Sequence, residues 1–337
     1  MHLYHHFVCA MLDEQEVTPI QEQLQQFQAL IDQKHLHKNQ IMKSLIFMAS
    51  GSNDIFSYFL LPDASKLTPQ QYVVTMLKQL SLFVDKTYKV GARKFVFFTI
   101  GPLGCIPGRV IIRGAPTDRC MGRMNLMAKQ YNEGLELFIK SIPTKYPGAI
   151  GVYAVVYNTV QKFRANPKHY GFSDVSEACC GAGSLNGELQ CGLKGYKMCS
   201  NPNEYFFWDS FHPTQRVYGL LSKIATIHLY APRCFLMDLE SANAHIKSLF
   251  IFGDSIFDPS NNHFVKNCTI QGNFTPYGSS YFLHPTGRFT NGRTIADFIE
   301  VYHELAKDSR NGFPANGVNF ASGGSGLLND TNKDVVR

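Results

Sequence analysis

The chain has 337 residues, with 32 Lys and Arg, 26 Asp and Glu, and 9 Cys. This length fits one large α/β domain or two smaller ones, and the 45% apolar content is typical of a globular protein rather than a disordered one. The net charge of +6 is spread along the chain without a long basic run, which argues against a nucleic-acid partner. Because the sequence has no uncharged apolar stretch of about 18 residues, we expect no transmembrane segment.

Five short apolar runs predict buried strands, because each combines β-branched or aromatic residues with a following turn that contains Gly or Asn. The predicted strands are Ser44–Ala49, Lys94–Ile100, Ile150–Val156, Ser248–Phe252 and Gly317–Ala321. Apolar residues at helical spacing predict helices over Ile20–Lys34, Gln70–Tyr88, Met121–Ile142 and Pro213–Leu229. This alternation predicts an α/β fold with a mostly parallel sheet, in which ligands bind beyond the carboxyl ends of the strands.

A hydroxyl group follows one of the predicted strands, and an Asp-His pair precedes one of the predicted helices. Ser255 ends the sequence Gly-Asp-Ser directly after the fourth predicted strand, and Asp209 and His212 lie three residues apart before a predicted helix. Each motif alone has a structural explanation, since Ser and Asp often cap helices.

Two further turns carry an amide and a run of glycines. Asn53 lies in a predicted tight turn after the first strand, and Gly324 lies in a glycine-rich turn after the fifth. The glycine-rich turn has neither the spacing of a dinucleotide-binding loop nor the Lys-Thr of a phosphate-binding loop. We expect Asp54 and Asp258, which follow the first and fourth strands, to be turn residues.

Together these motifs resemble the plant GDSL esterase/lipase family, whose members have the SGNH-hydrolase fold. The four similar blocks, in the family's order, are Phe250–Ser255, Asn319–Gly326, Gly51–Asp54 and Phe207–Thr214, and the spacers typical of plant members are Gly101–Pro107 and Ala178–Gly183. The resemblance covers residues 17–228 and 247–330. It implies a flavodoxin-like, three-layer α/β/α fold around a mostly parallel five-stranded sheet.

The order of the blocks in this chain differs from that of the family, in which the Ser block comes first. Residues 17–229 correspond to the C-terminal two-thirds of the hydrolase domain, and residues 248–337 correspond to its N-terminal third. Residues 230–247 form a linker between them, and residues 1–16 are an unrelated N-terminal segment. A circular permutation and a hybrid of two tandem gene copies both explain this order. An extended linker of this length spans on the order of 50 Å, so a single folded domain is physically possible.

The resemblance implies a serine esterase or lipase that hydrolyses carboxylic esters, such as acyl lipids or other plant acyl esters. Ser255 would be the nucleophile, His212 the general base and acid, and Asp209 the group that orients the imidazole. The alternatives are an acyltransferase that uses the same site, and a non-catalytic or misassembled hybrid of two family copies.

The resemblance also assigns an oxyanion hole, which stabilises the negative charge of the tetrahedral intermediate. Its donors would be the backbone N–H groups of Ser255 and Gly324 and the side-chain amide of Asn53. The Gly323 N–H is the alternative if the turn is offset by one residue. No metal or organic cofactor is required by this chemistry.

Cysteine spacing predicts disulfide bonds rather than a zinc site, because paired C-x₂-C motifs are absent. We expect Cys105 to pair with Cys120, and two further bridges of open connectivity to form among Cys179, Cys180, Cys191 and Cys199. Cys9, Cys234 and Cys268 remain unpaired in this scheme, and the histidines at 2, 5, 6, 35 and 37 are not expected to bind metal.

The predicted disulfides and three glycosylation triplets, at Asn267, Asn273 and Asn329, indicate an oxidising compartment. The resemblance likewise implies a secreted protein. The N-terminus is not a convincing signal peptide, because the apolar patch at Phe7–Leu12 follows no basic region.

Overall fold

A computed structural model of the protein describes residues 17–61, 65–230, 248–302, 317–329 and 331. The predicted N-terminal segment 1–16 and nearly all of the predicted linker lie outside the described residues, as do Cys9 and Cys234. The domain boundaries proposed at these places therefore remain predictions.

The α-helices of the described residues are α1 (Ile20–Asp32), α2 (Lys38–Met42), α3 (Ser52–Leu60), α4 (Pro69–Lys89), α5 (Gly122–Lys145), α6 (Val156–Ala165), α7 (Gln215–Tyr230) and α8 (Ile295–Tyr302). The strands are β1 (Leu45–Ala49), β2 (Lys94–Phe98), β3 (Ile150–Ala154), β4 (Asp174–Ala178), β5 (Cys180–Gly181), β6 (Lys197–Met198), β7 (Tyr205–Phe207), β8 (Leu249–Gly253) and β9 (Gly317–Asn319). Short 3₁₀ helices cover Leu103–Cys105, Pro107–Ile111, Pro167–Tyr170, Ser184–Asn186, Pro202–Glu204 and Asn261–Phe264.

Five of the strands form one parallel sheet in the order β3-β2-β1-β8-β9. The central pair joins the two segments of the chain, with Leu45 of β1 opposite Leu249 of β8 and Ala49 opposite Gly253. Helices flank this sheet, so the predicted α/β fold with a central five-stranded parallel sheet is confirmed.

Burial on both faces explains why the central strands are apolar throughout. Every residue of β1 and of β8 is buried. Helix α1 covers one face through Phe27, whose ring makes edge contacts with Phe250 and Phe252 at centroid distances of 5.0 and 5.6 Å. The helix of the first segment thereby packs on the strand of the second.

The largest local difference from the sequence-based expectation is at Asn53. Helix α3 begins at Ser52, so Asn53 lies in the first turn of a helix and not in an isolated tight turn. Gly51, with φ of 115°, provides the left-handed residue between β1 and this helix.

The strand order places a topological switch point between β1 and β8. From β1 the chain proceeds to β2 and β3 on one side, whereas from β8 it proceeds to β9 on the other. Ligands of open α/β sheets bind at such points, outside the carboxyl ends of the strands. The ends of β1 and β8, at Ala49 and Gly253, therefore mark where a site is expected.

Three disulfide bonds occur in the described residues. The predicted bridge between Cys105 and Cys120 is confirmed. The connectivity that the sequence left open is Cys179–Cys199 and Cys180–Cys191. Cys268 is buried and takes no part in these bridges.

Candidate active site

A cavity of about 150 Å³ lies at the carboxyl ends of the central strands. The residues that the sequence analysis selected all line it, namely Asn53, Asp209, His212, Ser255 and Gly324. Residues from both segments of the chain are thus brought together at the switch point of the sheet.

Ser255 is positioned by a close approach of β8 to β1. Gly253, with φ of 154°, ends β8, and a Cβ atom at this position would lie 2.3 Å from the Ala49 carbonyl oxygen. Only glycine permits this approach, after which the Asp254 N–H donates to the same oxygen at 3.2 Å. The chain then turns out of the sheet and leaves Ser255 8% exposed at the cavity.

His212 lies between the Ser255 hydroxyl and the Asp209 carboxylate. Its Nε2 atom is 2.8 Å from Ser255 Oγ, and its Nδ1 atom is 2.9 Å from both carboxylate oxygens of Asp209. The ring of Phe289 lies against the imidazole at a centroid distance of 5.0 Å. This arrangement allows a proton to pass from the hydroxyl to the imidazole while the carboxylate stabilises the resulting charge.

Asp209 is buried and accepts several hydrogen bonds. The backbone N–H groups of Phe211 and His212 donate to Oδ1 at 2.8 and 2.7 Å, and the Tyr277 hydroxyl donates to Oδ2 at 2.8 Å. Burial alone would raise the pKa of Asp209, but the nearby His212 and the hydrogen bonds outweigh burial and lower the pKa. The group is therefore an ionised carboxylate at neutral pH.

Tyr277 is a site residue that the sequence analysis missed. It is fully buried, it lines the cavity, and it lies 68 positions from the aspartate that it contacts. Burial and the Asp209 carboxylate raise the pKa of Tyr277, so the phenol keeps its proton and acts as a donor. No motif at this spacing signals such a contact in the sequence.

The turn that carries Asp209 and His212 is supported by the disulfide-bonded segment. The N–H groups of Cys179 and Cys180 donate to the carbonyl oxygens of Phe207 and Trp208 at 3.0 and 2.8 Å. The bridges at these two cysteines thus fix the backbone immediately before Asp209.

The Asn53 amide and the Gly324 turn lie on the other side of the cavity. Asn53 Nδ2 donates to the Ser325 carbonyl oxygen at 2.8 Å. The Gly323 N–H donates to the buried Asp258 carboxylate at 2.8 Å, so it is committed to this contact and is not directed at a substrate. Gly324, in the glycine-rich turn after β9, has a left-handed backbone conformation with φ of 82°, which glycine adopts without strain.

Asp54 also holds the Gly324 turn. Its buried carboxylate accepts hydrogen bonds from the backbone N–H groups of Leu327 and Leu328, each at 2.9 Å, and from the Thr331 hydroxyl at 2.6 Å. Asp54 and Asp258 were expected to be ordinary turn residues. Asp54, in the first turn of α3, and Asp258, in the loop after β8, both bind the loop after β9.

Within the described ranges, no cluster of three or more His, Cys, Asp or Glu side chains could hold a metal ion. In the same ranges, no helix is long and apolar enough to cross a membrane.

The family model for GDSL-like lipase/acylhydrolase matches residues 12–224 and 249–337 of the chain. The chain therefore belongs to this family, in agreement with the resemblance that its motifs show. Its match to GDSL esterase/lipase 6 of Arabidopsis thaliana is 54% identical over 207 residues and covers 61% of the chain and 57% of that relative. Its match to GDSL esterase/lipase 7 of the same plant is 35% identical over 180 residues and covers 52% of the chain and 49% of the relative. The chain thus spans about half the length of the curated relatives it matches.

Proposed function

We propose that the protein is a serine esterase or lipase that hydrolyses carboxylic esters with a triad of Ser255, His212 and Asp209. The observation that carries this proposal is the continuous series of contacts from hydroxyl to imidazole to carboxylate, at 2.8 and 2.9 Å, beside a cavity. Membership of a family described as lipases and acylhydrolases supports the same chemistry.

In the first half-reaction, Ser255 Oγ forms a bond to the carbonyl carbon of the ester and passes its proton to His212 Nε2. The electron pair of the carbonyl π bond moves to its oxygen, which becomes an oxyanion. The Ser255 and Gly324 N–H groups and the Asn53 amide stabilise this charge. His212 then donates the proton to the alcohol oxygen as the carbon–oxygen bond breaks, which leaves an acyl group on Ser255.

In the second half-reaction, His212 takes a proton from a water molecule, whose oxygen attacks the acyl carbon. Collapse of this second intermediate releases the carboxylic acid and returns a proton to Ser255 Oγ. If an alcohol replaces water in this step, the same residues perform acyl transfer, which product analysis distinguishes from hydrolysis. Asp209 remains ionised throughout and keeps the Nδ1 proton of His212 in place.

The test is the turnover of p-nitrophenyl acetate by the purified protein, by Ser255→Ala and by a matched control, Ser141→Ala. Ser141 is an exposed residue of α5, and we expect this control to keep full activity. Ser255→Ala should lower kcat by at least about 10³-fold. Equal turnover by Ser255→Ala and the unaltered protein would contradict the proposed nucleophile.

Labelling by a fluorophosphonate probe provides a second test. Such labelling requires an assembled nucleophile, base and oxyanion hole, so a non-catalytic or misassembled hybrid would not react. Peptide mapping should locate the label on Ser255.

The protein is also proposed to act outside the cell. Three disulfide bonds fit an extracellular protein, because such bridges persist in oxidising compartments. The three glycosylation acceptors, Asn267, Asn273 and Asn329, are exposed. A glycosidase-sensitive mass shift of the protein from plant extracellular fluid is the expected result, and its recovery only from the cytosol would contradict the assignment.

A further inference from the structure

A second cavity, of about 100 Å³, adjoins the candidate active site. The two cavities share the lining residues Ser52, Leu103, Ile106, Phe211, Asp254 and Ile256. Because Asp254 is the chain neighbour of Ser255, the second cavity begins next to the proposed nucleophile. A group attached to an ester carbonyl at Ser255 can therefore extend into this space.

The lining of this second cavity is mainly apolar. It includes Phe98 at the end of β2, Val160 of α6 and Leu221 of α7, all of them buried. Apolar walls of this kind favour the hydrocarbon part of a ligand, because its transfer from water is favourable. Next to a serine that accepts acyl groups, the hydrocarbon part is the acyl chain of the ester.

Two hydroxyl groups interrupt the apolar lining. Ser50 and Tyr218 are 5% and 0% exposed, and neither hydroxyl has a hydrogen-bond partner among the residues that the structure describes. The hydroxyl of Thr99 in the same lining differs, because it donates to the Ala154 carbonyl oxygen at 3.2 Å and accepts from the Val156 N–H at 2.8 Å.

A buried hydroxyl without a partner is unfavourable, and most such groups in folded proteins are paired. Burial raises the pKa of Tyr218, as do the Asp209 and Asp254 carboxylates, so this phenol retains its proton and is available as a donor. The Ser50 hydroxyl can donate or accept. The two groups are therefore suited to an oxygen atom within an otherwise apolar ligand.

We propose that this second cavity binds the acyl chain of the substrate and that Ser50 and Tyr218 hydrogen-bond to a hydroxyl group on that chain. The inference rests on the proposed function, since it assigns the acyl side of a reaction at Ser255. The proposed substrates are therefore esters of hydroxylated acyl chains. An unsubstituted chain fits the apolar walls but leaves both protein hydroxyls unpaired, so it binds less tightly.

The first test measures binding without turnover. Calorimetric titration of the Ser255→Ala protein uses alkanoates from hexanoate to dodecanoate and the ω-hydroxy acid of each length. We expect the best ω-hydroxy acid to bind about tenfold more tightly than the alkanoate of equal length, which corresponds to one buried neutral hydrogen bond. Equal affinities across the whole series would overturn the proposal.

Variants then identify the groups responsible. Tyr218→Phe and Ser50→Ala, each added to Ser255→Ala, should reduce the preference for the hydroxylated ligand. The matched control is Tyr281→Phe, because Tyr281 is half exposed and does not line this cavity. A preference that survives both cavity substitutions would show that other groups bind the hydroxyl of the ligand, and it would contradict the assignment.

The second test fills the cavity. Val160→Phe should lower kcat/KM for p-nitrophenyl decanoate at least tenfold more than it lowers kcat/KM for p-nitrophenyl acetate. Leu221→Phe, on a different helix, provides the same test if the first variant fails to fold. If a variant with either substitution folds and still hydrolyses p-nitrophenyl decanoate normally, the proposal that this cavity binds the acyl chain is wrong.

The two proposals fail in distinguishable ways. If acetate turnover does not depend on Ser255 while the hydroxylated acids still bind preferentially, the triad assignment fails and the cavity assignment stands. If acetate turnover requires Ser255 but no hydroxylated acid is preferred, only the inference about the acyl chain fails.

Discussion

The Asn53 side-chain amide donates to the carbonyl oxygen of Ser325 at 2.8 Å, although the two residues are 272 positions apart. An amide carries two hydrogen atoms, so this contact occupies one and leaves the other for a ligand. The contact also fixes the rotation of the amide relative to the Gly324 turn. The proposed oxyanion hole is therefore assembled by a hydrogen bond between its own elements.

Replacement of Asn53 by Ala should lower kcat with little change in KM. The removed donor acts mainly on the charge that develops in the transition state, and the loss of one such donor typically raises the barrier by about 2.7–4 kcal/mol. Kinetics with p-nitrophenyl acetate measure the effect, and the melting temperature reports the accompanying loss of the Ser325 contact. A normal kcat in a folded Asn53→Ala protein would remove Asn53 from the proposed oxyanion hole.

Replacement of Tyr277 by Phe should weaken the triad without abolishing it. The variant loses the hydrogen bond to Asp209 Oδ2, whereas the two backbone N–H donors to Oδ1 remain. A hydrogen bond to a charged group contributes about 1.5–3 kcal/mol, so kcat/KM and stability should both fall measurably.

The same variant should change the pH profile. Loss of a donor to the carboxylate raises the pKa of Asp209. The acidic limb of the kcat/KM profile depends on the coupled ionisation of Asp209 and His212, so it should move to higher pH. A purely structural contribution of Tyr277 would lower stability and leave this limb in place.

Stability should depend on the ionisation of Asp254. Burial raises the pKa of Asp254 to about 7, whereas an unfolded Asp titrates near pH 4. Between these values the folded protein holds a proton that the unfolded chain has lost, so this group makes the free energy of unfolding decrease as pH rises. One such group changes the free energy of unfolding by at most about 1.4 kcal/mol per pH unit.

Urea unfolding of the protein and of Asp254→Asn, at several pH values from 4 to 8, measures this dependence. The buried Asp54 and Asp258 also have raised pKa values and contribute with the same sign in both proteins. The difference between the two plots of unfolding free energy against pH therefore gives the contribution of Asp254 alone. Parallel curves would show that Asp254 titrates at its usual pH.

Reduction of the disulfide bonds should lower esterase activity before it unfolds the sheet. Cys179 and Cys180 form two backbone hydrogen bonds with the residues directly before Asp209. The Cys105–Cys120 bridge closes a loop of 15 residues that contacts the same turn through one backbone hydrogen bond, from the Gly108 N–H to the Ser210 carbonyl oxygen at 2.7 Å, and it contributes roughly 3 kcal/mol in the chain-entropy model. The double variant Cys180→Ser/Cys191→Ser should therefore lose more activity than Cys105→Ser/Cys120→Ser, when the two are compared under conditions in which both are equally stable to unfolding.

Activity assays and circular dichroism during titration with a reductant measure both effects. Simultaneous loss of activity and helical signal would contradict the prediction. Peptide mapping that finds every cysteine as a free thiol in the active protein would contradict the extracellular assignment.

The strands of the central sheet could be predicted because their signal is local. Each of the five sheet strands was expected within a few residues, since burial on both faces requires a short apolar run. Asn53 was placed in a turn because its neighbours Ser52 and Asp54 favour turns, whereas the structure continues them into helix α3. The helix is decided by apolar packing of Ile55 and Phe56, which lie beyond the motif.

The contacts that hold the site could not be predicted in this way. Tyr277 contacts Asp209, and Asp54 contacts the loop after β9, across long separations that depend on the complete fold. The two hydroxyls of the second cavity, Ser50 and Tyr218, likewise carry no motif. A sequence pattern can therefore identify the residues with chemical roles but not the partners that orient them.

The pairing of β1 with β8 has a consequence for how the molecule can be divided. Residues 17–230 carry Asn53, Asp209 and His212, whereas residues 248–337 carry Ser255 and Gly324. Neither portion holds a complete site, and each exposes one side of the central strand pair when alone. Under the proposed function, the two portions are natural halves of a split enzyme, in which ester cleavage would report the association of two separate polypeptides.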